Sequence, residues 1–570
     1  MSAVTFSGLD WLIVGLYFVV NTAIAVWAAF LREKDTADYF LAGRSASWIL
    51  IGSSIFASNI GAEHLVGLAG SGASSGMALA HYELHSYQVL ILGWIFAPFY
   101  LGTKVFTTPE FIERRYTPAT RTFLSFIFLT SYILTKASVT IFAGAFAIKT
   151  VLGIDTFDLP GFGAVNFFWF AAFSLVIVTG IFTIIGGMKS VLWTEAMHVP
   201  VLLTGSVVLL FVGLSKIGGL DALRAANPET IHLWRPLSTT PETQGFPGFL
   251  FDPSATPWLG IILSSPLAGL WYWCTDQYIV QRVLTGKDLR ESRRGAIFSG
   301  YLKLFPIFIF LIPGMIAVAL FKQGVAGFET IGENPQGAFP ILLSHLLPNG
   351  LRGLVLAGML SALMSSLASL FNSTATLFTV DFYKRIRPQS SEQHLVNVGR
   401  WATVGVVLAG MAWIPFLEKI GNGQLYTYLQ LIQSLLAPSI AAVFMLGIFS
   451  KGVTPISGLV GIIVGFLAGM ARLALVVAHD NHAAMPQWLD TLARINWLYF
   501  SFMLFVGTCV LIFLVSLVTP KTPAAQLAGL TYGSISVEES EAEKKSHGFW
   551  EIFHTVVILA ILAAVYIYFW

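Results

Sequence analysis

Several ionisable side chains lie inside long apolar stretches of this sequence, where hydrocarbon would surround them. An ionisable group at that depth is costly, so it usually marks the path of a solute, an ion or a proton. The residues are Glu63, His64, Glu83, Lys136, Glu195, Asp276 and Lys303. They are few, of both signs and scattered along the chain, which favours one enclosed binding site over the charged rings of a channel.

One apolar stretch is interrupted by polar residues in its middle. Residues 49–64 include Ser58, Asn59 and Gly61, which a straight helix facing lipid would not tolerate. A helix that breaks near positions 58–61 would free backbone carbonyls, and these can bind a small cation if they line a cavity. A buried, unbroken helix with polar packing contacts is the alternative.

A second set of oxygen donors lies on the segment 358–369. Ala362, Ser365 and Ser366 stand at i, i+3 and i+4, so they share one helix face. Carbonyl and hydroxyl oxygens are the donors that small hard cations prefer. Helix packing through serine is the alternative, and the broken helix elsewhere favours the cation site.

Aromatic residues precede an acid and an amide in a third unusual segment. Trp271, Tyr272 and Trp273 are followed by Asp276 and Gln277. Aromatic faces suit the C–H faces of a sugar, while polar groups bind its hydroxyls. An aromatic belt at the membrane interface is the alternative, but two polar side chains in the next turn disfavour it.

The composition excludes most other classes of protein. Of 570 residues, 56% are hydrophobic and 11% charged, whereas soluble domains carry about a quarter charged residues. The net charge of +2 indicates no nucleic-acid partner. Cys274 and Cys509 fall inside apolar segments, which argues against a disulfide framework.

Hydropathy predicts an all-α polytopic membrane protein with about fourteen membrane helices, since each span needs about 20 apolar residues. The apolar stretches are 9–31, 47–73, 80–103, 120–150, 164–186, 190–215, 256–284, 296–321, 350–383, 398–417, 424–449, 455–478, 494–518 and 549–570. The first is too long for the apolar part of a signal peptide and is interpreted as a membrane helix.

The loops between these stretches set the orientation. Residues 216–255 predict an external loop with little structure of its own, and 520–548 a polar linker to a last helix. If alternate loops beginning with 32–46 are cytoplasmic, they hold 21 of the 32 Lys and Arg residues, against 8 in the opposite loops. The positive-inside rule then places both termini outside the cytoplasm.

Ten short motifs occur in a consistent order over residues 35–450. They are DYFLAGR at 38–44, ASNIG at 57–61, GLAG at 67–70, GGM at 186–188, WYWCTDQ at 271–277, QR at 281–282, GYLK at 300–303, MSSL at 364–367, FNS at 371–373 and QL at 424–425. With these motifs the chain resembles the solute:sodium symporter family, and within it the sodium/glucose cotransporter branch.

The resemblance implies a core of two inverted five-helix repeats of the leucine-transporter type, with broken helices at the membrane midplane. The expected division is 1–46 for the first membrane helix and a cytoplasmic loop, 47–215 for the first repeat, 216–255 for an extracellular loop, 256–449 for the second repeat, 450–519 for two peripheral helices, and 520–570 for the linker and last helix.

The resemblance also implies the site residues. The residues that would hydrogen-bond a sugar are Asn59, His64, Glu83, Ser86, Lys303 and Gln430. Tyr272 would be the inner gate that stacks on the sugar, with Trp273 beside it, and Tyr426 would close the outer side. The sodium ligands would be the carbonyls of Ala57, Ile60 and Ala362 and the hydroxyls of Ser365 and Ser366.

These roles agree with elementary chemistry. Burying an unpaired sugar hydroxyl costs about 1–3 kcal/mol, so a sugar site needs both donors and acceptors. Glu83 accepts and Lys303 donates, and Glu83 and Ser86 at i, i+3 can face one cavity. A purely structural pairing of Glu83 with Lys303 is the alternative.

The chain departs from the family pattern at a possible second sodium site. Glu195 stands where two-sodium members usually carry Asp, and position 368, beside the candidate ligand Ser369, is Ala. Glu195 could bind sodium, carry a proton or pair with Lys136. Two further positions differ from a bacterial galactose member of the family. His64 matches the animal glucose members instead, and Gly269 stands where the bacterial member has a side-chain amide.

The resemblance implies sodium-coupled symport of a hexose, glucose or galactose, into the cell by alternating access. Myo-inositol or another polyol, and a sugar sensor that does not transport, are alternatives. An enzyme is not expected, because the GASSG motif at 72–76 ends a membrane helix instead of lying between a strand and a helix.

Sodium is the expected coupling ion, the bilayer and a sugar the expected partners, and a monomer is expected to suffice. Compact loops favour a bacterial inner membrane, with a eukaryotic plasma membrane as the alternative.

Overall fold

The computed structural model of this protein describes residues 6–30, 35–159, 161, 163–253, 256–420, 425–532, 534, 541 and 543–570. Most of these residues are helical. The motif residue Gln424 and the linker positions 535–540 lie outside the described residues.

The chain up to residue 152 consists of short and medium helices. The α-helices are Gly8–Phe30, Thr36–Leu41, Trp48–Asn59, Ala69–Ser75, Ala80–Glu83, Ser86–Ile91, Ala97–Gly102, Thr108–Arg115, Pro118–Ser131 and Ser138–Leu152. Three of them continue through the π-helical turns Glu63–Leu68, Leu92–Phe96 and Tyr132–Ala137, and 3₁₀ turns cover Ala42–Arg44 and Gly76–Leu79.

The middle of the chain contains a hairpin and a long bent helix. The strands Thr156–Leu159 and Gly163–Asn166 pair antiparallel, a small exception to the predicted all-α fold. Helix Phe167–Ile217 follows and bends at Gly187, where φ is 51°. The predicted external loop has more structure than expected: it holds the helix Leu220–Ala226 and the 3₁₀ turns Pro241–Thr243 and Gly248–Phe251.

The remainder of the chain is again helical. The α-helices are Trp258–Gly269, Gln277–Leu284, Leu289–Leu302, Ile312–Lys322, Ala338–Leu346, Leu351–Thr376, Lys384–Ile386, Glu392–Ile420, Leu425–Phe449, Pro455–Asp480, Gln487–Arg494, Trp497–Val518 and Phe549–Tyr568. The π-helical turns Leu270–Thr275, Ile307–Leu311 and Leu377–Tyr383 and the 3₁₀ turns Glu329–Gly332, Pro335–Gly337 and Ala524–Leu527 complete it.

Eleven helical segments in the described part of the chain are long and apolar enough to cross a membrane. They overlap eleven of the predicted stretches, and one of them, Glu63–Gly102, also includes the end of the stretch 47–73. The other three, 47–73, 164–186 and 256–284, are helical as well, but two of them are interrupted and the third contributes the shorter apolar helix Phe167–Ile181. The all-α membrane fold is confirmed, and the count of fourteen spans stays a prediction.

The last helix, Phe549–Tyr568, is anchored to the core by polar contacts at its beginning. The buried carboxylate of Glu551 is 2.6 Å from Nε of Arg294 and 3.4 Å from Nε of Arg290. One turn further, Trp94 donates to the hydroxyl of Thr555 at 3.0 Å. These contacts hold the helix against Leu289–Leu302 and its neighbours.

Glycines allow the first broken helix to lie close to the helix Leu289–Leu302. A Cβ on Gly52 would stand 2.6 Å from the carbonyl oxygen of Gly295, and a Cβ on Gly295 would stand 2.6 Å from Cγ2 of Ile51. Membrane helices use small residues in this way to bring their backbones together.

Gly314 tests such a contact elsewhere in the core. A Cβ on Gly314 would collide with the carbonyl oxygen of Ala69 on the facing helix. We expect Gly314→Ala to destabilise the fold by about 1–3 kcal/mol, the usual cost of overpacking, and to lower the melting temperature of the purified protein. Gly405→Ala is the control, since apart from its own helix backbone none of the described atoms comes within 4 Å of its Cβ position. Equal melting temperatures for the two variants would contradict this packing.

Candidate functional site

The first predicted broken helix is interrupted where the sequence indicates. Helix Trp48–Asn59 ends at Ile60, whose backbone is extended with φ −86° and ψ 111°, and the chain resumes as the π-helical turn Glu63–Leu68. The break near positions 58–61 is therefore confirmed. The last carbonyls of the helix lose the amides that would bond them in a continuous helix, so they are available to other partners.

A second interruption lies at Asp276, in the first helix of the second half. Its backbone is extended with φ −69° and ψ 126°, and its carboxylate accepts hydrogen bonds from the Tyr278 amide at 3.1 Å and the Tyr132 hydroxyl at 2.6 Å. A carboxylate at the start of a half-helix is stabilised by the amides and the dipole there. The two breaks occupy corresponding places in the two predicted repeats.

Beside the breaks lies a buried ion pair. Nζ of Lys303 is 2.5 Å from Oε2 of Glu83 and donates to Oδ1 of Asn59 at 2.8 Å. The Tyr426 hydroxyl donates to Oε1 of Glu83, and Nε2 of His64 lies 3.3 Å from Oε2. A buried pair needs such extra partners to compensate the desolvation of its charges. Glu83 and Lys303 are paired, as the structural alternative held, but in a cluster with further polar groups.

This cluster lines a cavity between the helices. The predicted sugar and gate residues on its wall are Asn59, His64, Glu83, Tyr272, Trp273, Lys303, Tyr426 and Gln430. Asn59 donates to the Tyr272 hydroxyl at 3.2 Å, and the Trp273 ring lies 5.3 Å from Nζ of Lys303. Residues far apart in the sequence therefore meet at one place, with polar groups and aromatic faces on the same wall.

Ser86 is the predicted sugar ligand that does not line this cavity. Helix Ala80–Glu83 ends at Leu84, with ψ 26°, and a new helix starts at Ser86. The i, i+3 argument that placed Ser86 beside Glu83 assumed one continuous helix, so it does not apply. Among the described residues, the buried Ser86 hydroxyl has no hydrogen-bond partner.

The cavity wall includes residues to which the sequence had assigned no role in binding. They include Glu63, Tyr82, His85, Lys136, Thr140 and Gln433. Glu63 and Lys136 had a signal, since they are ionisable residues in apolar stretches, whereas Thr140 and Gln433 had none. Of the residues described, Gln430 keeps its side-chain carbonyl without a hydrogen-bond partner, so the cavity retains a free acceptor.

Lys136 pairs with Asp276 and not with Glu195, so the pairing suggested for Glu195 is wrong. Its Nζ lies 3.5 Å from Oδ2 of Asp276 and stands over the rings of Tyr272 and Tyr278, at 4.2 and 3.5 Å from their centroids. Cation–π contacts are strong when the cation is desolvated. The lysine therefore stabilises both the second break and the predicted inner gate.

The predicted sodium ligands come together only in part. The hydroxyl of Ser366 donates to the carbonyl of Ile60 at 3.1 Å, across the break. Ala57 and Ala362 are buried in the two helices that carry these residues. Ser365 instead donates to Oε1 of Glu195 at 3.1 Å. The oxygens of Ile60 and Ser366 form a pair of hard donors that suits a small cation.

Glu195 is surrounded by serine hydroxyls. Oε1 accepts from Ser369 at 2.5 Å and from Ser58 at 3.2 Å as well as from Ser365, and Ser54 donates to Oε2. Glu195 is fully buried, and Nη2 of Arg282 is 4.0 Å away. The predicted pair Glu195 and Ser369 is thus in direct contact, next to the predicted sodium ligand Ser365.

Two broken helices, oxygen donors at the break and an adjoining polar cavity are typical of ion-coupled transporters. The family model described as "Sodium:solute symporter family" matches residues 39–465. The chain belongs to the sodium:solute symporter family. This symporter is a multi-pass membrane protein that moves a solute together with sodium, and its relatives are transporters, not enzymes.

Several relatives are similar over nearly the whole chain. Sodium/glucose cotransporter 1 of Ovis aries is 38% identical over 93% of this chain and 81% of its own. Sodium/myo-inositol cotransporter 2 of Oryctolagus cuniculus is 37% identical over 91% of this chain and 78% of its own. The structure of a Na⁺-coupled sialic acid symporter superposes with a TM-score of 0.71, at 20% identity, over 91% of this chain and all of that one, which shows that the fold is shared.

The buried ion pair of this symporter can be tested against one in contact with solvent. Lys303→Met leaves Glu83 buried without its cation, so we expect a loss of about 3–5 kcal/mol, typical of a broken buried pair. Lys149→Met is the control, because the half-buried Lys149 pairs at 2.8 Å with the exposed Asp155, and pairs in contact with solvent contribute little. Melting temperatures of the purified variants measure the effect. Equal decreases in melting temperature would show that the Lys303–Glu83 pair contributes no more to stability than the Lys149–Asp155 pair.

Proposed function

We propose that this symporter carries a hexose, glucose or galactose, into the cell together with sodium by alternating access. The observation that carries the proposal is the cluster of Lys303, Glu83 and Asn59 in a cavity with aromatic walls. A hexose presents several hydroxyls, each a donor and an acceptor. Lysine supplies donors, glutamate supplies acceptors, and the Asn59 amide supplies both.

The ion pair also indicates how a sugar would be accommodated. The charges of Lys303 and Glu83 satisfy each other at 2.5 Å. A bound sugar would insert hydroxyls among the same groups and replace these contacts one for one. Exchange of this kind avoids leaving a buried polar group unpaired, which costs about 1–3 kcal/mol.

The two gate residues are assigned to opposite sides of the cavity. Tyr272 lies on the half-helix before the second break and is held by Asn59 and Lys136. Tyr426 is buried and bonded to Glu83. Both tyrosines thus contact residues proposed to bind sugar, so sugar binding and gate position are linked directly.

Sodium is proposed to bind at the first break. Its ligands would be the carbonyls of Ala57, Ile60 and Ala362 and the hydroxyls of Ser365 and Ser366. Support comes from the contact of Ser366 with Ile60 across the break. A bound sodium would be coordinated by carbonyls at the end of helix Trp48–Asn59. It would thereby order the segment that carries Asn59 and His64, two proposed sugar ligands.

Glu195 and Ser369 are the candidate ligands of a second sodium. Their contact at 2.5 Å and the neighbouring Ser365 support this site. Ala368 offers no hydroxyl, which weighs against it. The serine cage around Glu195 fits either a cation or a proton at this carboxylate.

The driving force suffices for accumulation of a neutral solute. One charge crossing about 100 mV releases about 2.3 kcal/mol, and a tenfold sodium gradient adds about 1.4 kcal/mol. Each tenfold of sugar accumulation requires about 1.4 kcal/mol. One sodium per cycle could therefore concentrate a sugar roughly several hundred-fold.

Myo-inositol is the second candidate substrate. The rabbit relative that is 37% identical is named a myo-inositol cotransporter, and the same donors and acceptors suit any ring of hydroxyls. Uptake measurements separate it from a hexose.

Uptake of labelled glucose, galactose and myo-inositol into proteoliposomes tests the substrate. With a sodium gradient we expect glucose or galactose to accumulate, and with potassium no accumulation.

Lys303→Ala should abolish uptake because the ammonium of Lys303 is proposed to bind the sugar. Ser366→Ala should weaken the dependence on sodium by removing the hydroxyl next to Ile60. Accumulation of myo-inositol alone would favour the second candidate, and sodium-independent uptake would reject sodium coupling.

Reciprocal binding is the second test. If sodium orders the segment that carries Asn59 and His64, sodium must raise the affinity for sugar and sugar must raise the affinity for sodium by the same factor. Calorimetry of the purified protein should show sugar binding at least about fivefold tighter in sodium than in potassium, the lower end of typical coupling. Equal sugar affinity in both salts would contradict the mechanism.

A further inference from the structure

The hydroxyl of Tyr278 contacts two backbone carbonyls from different parts of the chain. It donates to the carbonyl of Ser58 at 2.7 Å and lies 3.1 Å from the carbonyl of Ser366. Tyr278 is 2% exposed, so solvent cannot readily take over these bonds. One side chain therefore joins the end of the first broken helix to the helix Leu351–Thr376.

Both carbonyls adjoin the proposed sodium ligands. Ser58 lies between Ala57 and Ile60 in the sequence, and the hydroxyl of Ser366 donates to Ile60 at 3.1 Å. A small cation binds tightly only where its oxygen ligands are held at the right spacing beforehand, because ordering loose ligands costs binding free energy. The Tyr278 hydroxyl holds the spacing between the two segments that supply these oxygens.

Tyr278 itself is fixed in place by the second break. Its amide donates to the Tyr132 hydroxyl at 3.0 Å and to the Asp276 carboxylate at 3.1 Å. Nζ of Lys136 lies 3.5 Å from the centroid of its ring. Both the backbone and the ring of Tyr278 are therefore held in place, and this fixes the position of its hydroxyl.

The same lysine connects Tyr278 to the proposed inner gate. Nζ of Lys136 is 4.2 Å from the centroid of the Tyr272 ring, and the two tyrosine rings are 6.5 Å apart. Any displacement of Tyr272 therefore changes the contacts of the cation that also stands over Tyr278. Lys136 therefore connects the gate to the sodium site, in addition to the hydrogen bond from Asn59 to Tyr272.

We infer that Tyr278 is a positioning residue that sets the geometry of the sodium site and links it to the inner gate. The inference rests on the proposed function, from which the sodium ligands are taken. The carbonyl oxygens of Ser58 and Ser366 carry like partial charges, and the Tyr278 hydroxyl between them provides the donor that keeps their segments together. Inward opening moves the half-helix that carries Tyr278 and withdraws this donor, which weakens sodium binding on the cytoplasmic side.

Tyr278→Phe tests this role because it removes the hydroxyl and keeps the ring over Lys136. The expected result is a rise of about tenfold in the sodium concentration for half-maximal uptake, as for the loss of a buried hydrogen bond. The KM for sugar at saturating sodium should change less than about twofold, because Tyr278 is not one of the proposed sugar ligands. A structural defect alone would lower the maximal rate without this selective shift.

Tyr100→Phe is the matched control. The Tyr100 hydroxyl is also fully buried and donates at 2.7 Å to a backbone carbonyl, that of Cys274, which lies in the same interrupted segment. This hydrogen bond ends on a residue that is not a proposed sodium ligand. We expect the sodium dependence of this variant to equal that of the unmodified protein. The same sodium dependence for Tyr278→Phe and Tyr100→Phe would overturn the inference.

A second measurement requires neither sugar nor transport. Sodium, compared with potassium, should raise the melting temperature of the purified unmodified protein and of Tyr100→Phe, and this rise should shrink in Tyr278→Phe. Tyr278→Leu provides a second folded sample without the hydroxyl if the first variant is not obtained. A full sodium-dependent rise in either Tyr278 variant would overturn the inference. If the unmodified protein binds sodium but transports neither hexose nor inositol, the proposed substrate fails while this result still decides the role of Tyr278.

Discussion

The arrangement depends on one constraint: a backbone that leaves helical geometry inside a membrane must find new partners for its polar groups. Water is scarce at that depth, and each unsatisfied group costs several kcal/mol. At the first break the new partners are the hydroxyls of Ser366 and Tyr278, which bond the carbonyls of Ile60 and Ser58. The same carbonyls can accept a cation, so the requirement for stability and the capacity for ion binding arise from the same atoms.

Buried charges follow the same logic, and the chain satisfies them in three ways. Lys303 is matched by a carboxylate and an amide within a cavity, so its partners can be exchanged for those of a substrate. Lys136 is matched by Asp276 and by aromatic faces, which a polar solute would not replace. Glu195 accepts hydrogen bonds from neutral hydroxyls, and its nearest described cation, Arg282, lies 4.0 Å away. The first pair suits solute recognition, the second a structural link, and the third a site for a further cation or proton.

Much of this architecture was predictable from residue types within apolar stretches. The break at Ile60 could be recognised because serine, asparagine and glycine interrupt a hydrophobic run, and the clustering of Asn59, Glu83 and Lys303 follows from the family resemblance. What failed were inferences that needed local geometry or distance in space. The i, i+3 placement of Ser86 beside Glu83 failed because a helix end at Leu84 is not visible in the sequence, while the role of Ser86 as a sugar ligand stays a prediction. The partner of Lys136 was missed since Asp276 lies 140 positions away by the numbering of the chain, and Tyr278 was overlooked because a tyrosine in an apolar segment gives no signal of its own.

The anchoring of the last helix has a consequence for how such a chain can change over generations. Glu551 is buried and serves both Arg290 and Arg294. Loss of this terminal helix would leave both guanidinium groups without their shared carboxylate, and replacement of either arginine would leave the buried acid with a single arginine partner. Single replacements at these positions are therefore disfavoured, so the three residues are expected to vary together.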